Sequence, residues 1–163
     1  RAGCPAQQCA SAISLALCAE HAEDPRAALA WYEAALGHAA AMSGDADRRC
    51  AEIHTHLARR HSEDGNLSAA RDAAQRALDL RLQADPTSIE AARARLLVGE
   101  ILLNEAMALL ESGTPDAHAA LDQAAGRLGE AHDELAAFGP PARFDALWCR
   151  DQLDTARRLS ASE

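Results

Sequence analysis

Two stretches of this chain, LCAEHAED at residues 17–24 and LARRHSED at residues 57–64, share leucine, histidine, glutamate and aspartate at the same four positions. They lie 40 residues apart. The segments that follow match at a spacing of 42 residues, ALAWYEAAL at 28–36 and ARDAAQRAL at 70–78. The difference of two residues indicates a longer second turn. Self-similarity at about 40 residues is typical of a solenoid, in which each helical unit buries its apolar face against the next.

The composition favours helices throughout the chain. Alanine supplies 41 of the 163 residues and leucine 21, whereas valine, isoleucine and threonine together supply nine. Only five aromatic residues occur. Because β-strands favour β-branched and aromatic side chains, this balance predicts an all-α fold with a core of close-packed alanine and leucine.

Glycine, proline and helix-capping residues divide the chain at regular distances. Asp24 followed by Pro25 is typical of an N-cap with proline at the first helical position, and Thr87 with Glu90 matches a capping box. The short loops predict antiparallel neighbours within one domain over residues 1–163. We expect about seven helices, at about residues 5–22, 25–43, 46–63, 67–84, 88–112, 115–138 and 142–160.

The matching segments group these helices into repeats. The first repeat covers about residues 5–43 and the second about 46–84; a looser third covers about 88–138, and a capping helix follows at about 142–160. The small and large signature positions of the second repeat are Leu57, Ala58, His61, Gly65, Asn66, Ala70, Ala74, Ala77 and Leu78. In this register the chain resembles the tetratricopeptide repeat (TPR) family, and its spacing is similar to the longer subclass of kinesin light chains and large bacterial transcription regulators. The resemblance implies a right-handed superhelical array of antiparallel helix pairs, a TPR-like α-solenoid.

The resemblance also implies where a partner binds, because the first helix of each repeat lines a concave groove in this family. It places an apolar strip from the first repeat beside a polar, arginine-containing strip from the second. Such a surface suits a peptide or an amphipathic helix. The groove residues that it implies are Leu15, Ala19, Glu52, Thr55, Arg59, Ser62 and Glu63.

The charged residues exclude several kinds of chemistry. The chain has 16 arginines and no lysine, which excludes a P-loop lysine, a Schiff-base lysine and a lysine general base. The sequence also lacks the motifs GxSxG, HExxH, GxGxxG and paired CxxC. We therefore expect a non-catalytic protein without a cofactor. The net charge of −9 argues against direct binding of nucleic acid or of an anionic membrane by this segment.

One stripe of side chains suits either a metal site or the core. Cys50, His54 and His61 stand at positions i, i+4 and i+11 of one predicted helix, and a Cys–His pair at i, i+4 can share a metal ion. The resemblance implies instead that this stripe faces the neighbouring helices. We expect core histidines and no metal here, with the metal site as the alternative.

The last predicted helix carries two aromatic residues outside its apolar stripe. The stripe is expected to pack on the rest of the array, which leaves Phe144 and Trp148 on another face. In one interpretation these residues form a docking surface for another domain, or for a second copy of the chain through the C-terminal helix. In the other, both rings fold over the preceding helix through the Gly-Pro-Pro turn at 139–141. The sequence leaves both interpretations open.

Cysteine usage and the start of the chain bear on its setting. Five cysteines without a CxxC pair or a secretory signal indicate a reducing, cytoplasmic compartment. The missing initial methionine leads us to expect a fragment of a larger protein. We expect a protein–protein interaction module that binds a peptide or helix in its groove. The alternative is the effector-sensing domain of a bacterial multidomain transcription regulator, with a small ligand or peptide in that groove.

Overall fold

The computed structural model describes residues 4–161, and this part of the chain contains seven α-helices, one short 3₁₀ helix and no strand. The predicted all-α class is confirmed. Between residues 4 and 161, no helix is long and apolar enough to cross a membrane. The helices are α1 (Pro5–His21), α2 (Pro25–Ala40), α3 (Ala46–Glu63), α4 (Leu67–Ala84), α5 (Ile89–Glu111), α6 (Ala117–Ala137) and α7 (Arg143–Ser160), with the 3₁₀ helix at Pro140–Ala142.

The N-termini of α2 and α5 show one correct and one wrong capping prediction. Asp24 caps α2, since its Oδ1 accepts a hydrogen bond from the Ala27 amide at 3.0 Å. The cap of α5 is Ser88, not Thr87, and its Oγ accepts from the third amide beyond it at 3.2 Å. Thr87 is unavailable because its hydroxyl donates to Asp85 Oδ1 at 2.8 Å. The predicted capping box is therefore wrong, because the cap lies one residue later and the residue three positions beyond it, Ala91, has no side chain that could complete a box.

Two other predicted helix ends are wrong by two or three residues. α2 ends at Ala40 rather than at residue 43, because the next two amides bond to carbonyls three residues back and tighten the turn. α6 begins at Ala117 rather than at Pro115. The Ala117 amide donates to the Thr114 carbonyl at 3.1 Å, so Pro115 lies inside a turn that precedes the helix.

The chain divides into two compact units, the first ending at Ala84 and the second starting at Asp85. In the first unit α1 packs on α2, α2 on α3 and α3 on α4. In the second unit α5 packs on α6 and α6 on α7, and α7 also contacts α5. Consecutive helices therefore pack in pairs within each unit, as the short loops predicted.

The turns that follow α1 and α3 have the same length and geometry. Glu23 and Gly65 each take a left-handed backbone conformation, with φ of 55° and 75°. Asp24 and Asn66 come next, and the amide of each bonds to the carbonyl five residues back, at 2.9 and 2.8 Å. In each of these two pairs, the residues are 42 positions apart. The expectation of a longer second turn is therefore wrong, and one 42-residue register relates the two helix pairs.

Burial in α1 and α3 follows the same 42-residue register. Ala16 and Ala58, 42 residues apart, are both fully buried. Leu17 and Leu57, 40 residues apart, are 36% and 6% exposed. Since two residues correspond to about 200° around a helix, the shared Leu-x-x-x-His-x-Glu-Asp letters fall on different faces of their helices.

The second unit has a continuous apolar core between α5, α6 and α7. The Cys149 thiol is fully buried there and donates to the Leu128 carbonyl at 3.1 Å. Burial, with a smaller effect of the Glu100 carboxylate, raises the pKa of Cys149 to about 12. The largest buried side chains of this core are Leu103, Leu121, Leu128, Leu135 and Cys149.

Candidate functional site

A buried tyrosine connects three helices of the first unit. The Tyr32 side chain is fully buried on α2. Its hydroxyl donates to Glu20 Oε1 of α1 at 3.1 Å, and its ring stacks on His56 of α3 with 5.1 Å between the ring centroids. Burial and the hydrogen bond to Glu20 raise the pKa of Tyr32, so the phenol stays protonated. Tyr32 on α2 therefore contacts both α1 and α3.

Ionisable side chains of α1 and α3 lie within electrostatic range of each other at two levels. Near the start of both helices, the charges of Arg49 and Glu52 act on the Cys9 thiol. Near the end of α1, the Glu20 carboxylate acts on His56. The two helices therefore approach each other at these points, and their forming one partner-binding surface stays a prediction.

The His54 and His56 rings of α3 are half-buried, and burial lowers the pKa of both. Burial lowers the pKa of His56, although the Glu20 carboxylate opposes the shift. Burial and the charge of Arg76 also lower the pKa of His54. The Nδ1 atom of His54 is buried and has no hydrogen-bond partner within residues 4–161. Protonation of either ring is therefore less favourable in the folded chain than in the unfolded chain.

We expect acidification to destabilise the first unit through these two rings. The unfolded chain binds more protons than the folded chain between the lowered folded pKa and about 6.5, so the free energy of unfolding falls as the pH drops through this window. The melting temperature should be lower at pH 5.5 than at pH 7.5. His56→Phe keeps the stacked ring and should reduce this difference, and adding His54→Gln should reduce it further. An unchanged difference in both variants would contradict the assignment.

The predicted Cys50, His54 and His61 stripe does not gather into a metal site. All three side chains are half-buried on α3. Throughout residues 4–161, no group of three histidine, cysteine or acidic side chains is placed to hold a metal ion. Burial and the charge of Asp47 also raise the pKa of Cys50, which disfavours the thiolate that a metal requires. The metal alternative therefore has no geometric support in this part of the chain.

On α3, the predicted groove residues differ in how many partners they already have. The Glu52 carboxylate pairs with Arg49 at 2.8 Å, and Glu63 pairs with Arg60 at 2.7 Å. The Thr55 hydroxyl donates to the carbonyl four residues back at 2.9 Å. Ser62 is half-buried, whereas Arg59 is exposed.

On α1, the 42-residue register changes which residues correspond to these positions. The counterparts of Arg59 and Ser62 are Leu17 and Glu20, and the predicted Leu15 and Ala19 lie on other faces of the helix. Leu15 is exposed and Ala19 is half-buried, and their place in a groove stays a prediction. We define the α1–α3 face as Leu17 together with four of the predicted groove residues of α3: Glu52, Thr55, Arg59 and Ser62.

The two aromatic residues of α7 are exposed, and they do not both fold over α6. Phe144 is 85% exposed and Trp148 is 53% exposed. The Trp148 indole N–H donates to the Glu100 carboxylate of α5, which fixes one edge of that ring. The sequence could not reveal this pairing, because its partners are 48 residues apart.

A pocket of about 400 Å³ lies in the second unit between the end of α6 and the start of α7. The sequence pattern did not predict this pocket. The placement of Arg143 and Arg150 on either side of Leu147 on α7 was a signal that could have indicated it. The pocket exists where the chain turns at Gly139, whose φ is 67°. Its lining residues are His132, Ala136, Gly139, Pro140, Arg143, Ala146, Leu147 and Arg150.

Comparison with known proteins gives no functional assignment for this chain. No family model, no curated protein and no solved structure matches the chain. The TPR resemblance therefore stays a prediction from the sequence.

Proposed function

We propose that this chain is a non-catalytic protein-interaction module whose α1–α3 face binds a peptide or an amphipathic helix of a partner protein. Repeated helix pairs support the proposal, because α1–α2 and α3–α4 share one 42-residue register and the same turn geometry. Such pairs present the first helix of each unit to a partner in helical-repeat proteins. The right-handed superhelical sense, membership of the TPR family and a cytoplasmic setting belong to the same proposal.

The observation that carries the proposal is an exposed arginine on α3 that has no ion pair within residues 4–161, at the register position that an exposed leucine occupies on α1. Arg59 forms no ion pair with any of residues 4–161, although its neighbours Arg49 and Arg60 are both paired. Leu17, its counterpart on α1, is 36% exposed. A partner segment with an apolar side chain and a carboxylate satisfies both groups. The contacts of Tyr32 with Glu20 and His56 connect the two helices before the partner arrives, which lowers the entropy cost of binding.

A peptide selection tests the proposal and does not require the partner to be identified. A phage-displayed library of 12-residue peptides is selected on the chain, and synthetic copies of enriched peptides are measured by fluorescence anisotropy. We expect a group of peptides whose affinity falls about tenfold or more on Leu17→Asp or Arg59→Glu, the usual size of a loss at the centre of an interface.

The matched control is Arg26→Glu, an exposed position on α2 outside the α1–α3 face. It makes the same charge change and should leave the affinity within about twofold, as expected for a charge outside an interface. If no enriched peptide distinguishes Leu17→Asp and Arg59→Glu from this control, the α1–α3 face is not the binding surface.

A further inference from the structure

The pocket between α6 and α7 has a positive lining in a chain whose net charge is −9. Its three ionisable side chains are His132, Arg143 and Arg150, and no acidic side chain of residues 4–161 lines it. The Asp133 carboxylate contacts one lining residue, at 3.2 Å from the His132 ring, and is itself largely exposed. The pocket therefore favours an anionic group.

Within residues 4–161 the two pocket arginines have no ion-pair partner, unlike Arg93 and Arg95 of the same unit. Arg93 pairs with Asp145 at 2.9 Å, and Arg95 pairs with Glu134 at 2.6 Å. Arg143 and Arg150 form no ion pair with any residue between 4 and 161, and both are exposed. Since a guanidinium recognises carboxylates through paired hydrogen bonds, these two groups are open to carboxylates from outside the chain.

The spacing of the pocket residues along α7 determines what kind of anion fits. Arg143, Leu147 and Arg150 stand at i, i+4 and i+7, which places them on one face of the helix. With a rise of 1.5 Å per residue, the two arginines are about 10 Å apart along the axis, with the leucine between them. A small ligand with a single carboxylate can contact only one of the two arginines. A chain segment with an apolar side chain between two acidic ones matches all three positions.

The exposed apolar surface continues beyond the pocket. Phe144, Leu147 and Trp148 are all exposed and adjacent on α7, and Leu147 also lines the pocket. A ligand the size of the pocket leaves Phe144 in water, whereas an extended partner segment covers it. Tryptophan and arginine around a pocket that accepts an apolar anchor are typical of the energetic centre of a protein interface.

We propose that the α6–α7 pocket, together with Phe144 and Trp148, binds an acidic segment of a partner protein that carries a bulky apolar side chain between two carboxylates. The partner segment is recognised through charge complementarity, because its carboxylates meet the two pocket arginines. The site belongs to the second unit and requires nothing of the α1–α3 face.

The test uses the same type of peptide library, with the enriched peptides classified by their response to variants of the pocket. Ala136→Phe fills the pocket from an exposed position. We expect peptides with an acidic–apolar–acidic pattern whose affinity falls about tenfold or more on Ala136→Phe and on the double variant Arg143→Gln with Arg150→Gln. Their affinity should also fall steeply as salt is raised.

Two controls match these variants closely. Ala137→Phe adds the same ring at the next exposed position of α6, and Arg157→Gln removes an exposed arginine of α7, and neither residue lines the pocket. Both should leave the affinity within about twofold. A peptide weakened by Leu17→Asp but not by Ala136→Phe belongs to the α1–α3 face, so the two proposals fail separately.

Four results would overturn the pocket proposal. The first is that no enriched peptide responds to Ala136→Phe, and the second is that the responding peptides lack acidic residues. The third is that octanoate, used as a small apolar acid, raises the melting temperature and displaces the peptides, which would assign the pocket to a small effector. The fourth is a dimer in light scattering that Arg143→Gln abolishes, which would assign the surface to a second copy.

Discussion

Replacing Gly99 by leucine is expected to lower the free energy of unfolding by about 3 kcal/mol, at the upper end of the cost of overpacking a core. A Cβ atom at Gly99 would lie 2.8 Å from Cδ2 and 2.9 Å from Cγ of Leu128, and 3.4 Å from its backbone nitrogen. Leu128 is fully buried among α5, α6 and α7, so it has little space to withdraw. The gain in helix propensity from replacing glycine, about 1 kcal/mol, is smaller than this steric cost.

Urea denaturation followed by circular dichroism measures this effect, with Gly126→Leu as the matched control. Gly126 is also helical, but it is exposed on α6, and a Cβ atom there meets nothing within 4 Å. The control should be as stable as the parent or more stable by up to about 1 kcal/mol, since leucine favours helix over glycine. Equal stability of the two variants would show that α5 and α6 do not approach closely at Gly99.

Replacing Tyr32 by alanine is expected to cost about 3–5 kcal/mol, the usual range for removing a buried aromatic ring. The change removes the fully buried ring, its stacking on His56 and its hydrogen bond to Glu20. Because these contacts connect α1 and α3 to α2, the loss should be concentrated in the first unit. Native-state hydrogen exchange should show faster exchange in α1–α4 than in the parent protein.

Two variants separate the parts of this effect. Tyr32→Phe keeps the ring and its stacking but loses the hydrogen bond, so about 1 kcal/mol is expected. Trp31→Ala removes a larger ring from the neighbouring, exposed position and should cost less than Tyr32→Ala. A loss below about 1 kcal/mol for Tyr32→Ala would contradict the packing described for the first unit.

The positions of the helices were predictable because their signals are local. Asp24 and Pro25 start α2 through one backbone contact and one fixed dihedral angle, and both effects can be read from neighbouring residues. The same locality explains the error at α5. Asp85 competes for the Thr87 hydroxyl, and the sequence shows two plausible caps without showing which one the turn leaves available.

The register between the two helix pairs was less predictable, for a physical reason. Shared letters such as His21 and His61 show similarity, but equivalence in the fold is set by the turn geometry. The left-handed residue is glycine in one turn and glutamate in the other, so Gly65 gives a signal that Glu23 does not. This two-residue difference moves the expected partner of Arg59 from Ala19 to Leu17.

Contacts between distant helices were not predictable from periodicity. A helical pattern identifies which face of a helix is apolar, but it does not identify the neighbour that covers that face. The contact of Tyr32 with His56, the indole hydrogen bond of Trp148 and the close approach at Gly99 therefore required coordinates. The α6–α7 pocket also depends on how two helices diverge after a turn.

The most direct test of the proposed recognition surface is an NMR measurement on the labelled chain bound to a library-selected peptide that is sensitive to Arg59→Glu. Intermolecular nuclear Overhauser effects report which protein protons lie next to the peptide. We predict contacts from the peptide to the side chains of Leu17, Thr55 and Arg59 together. Contacts confined to the opposite surfaces, on α2 and α4, would contradict the claim that α1 and α3 form the recognition surface.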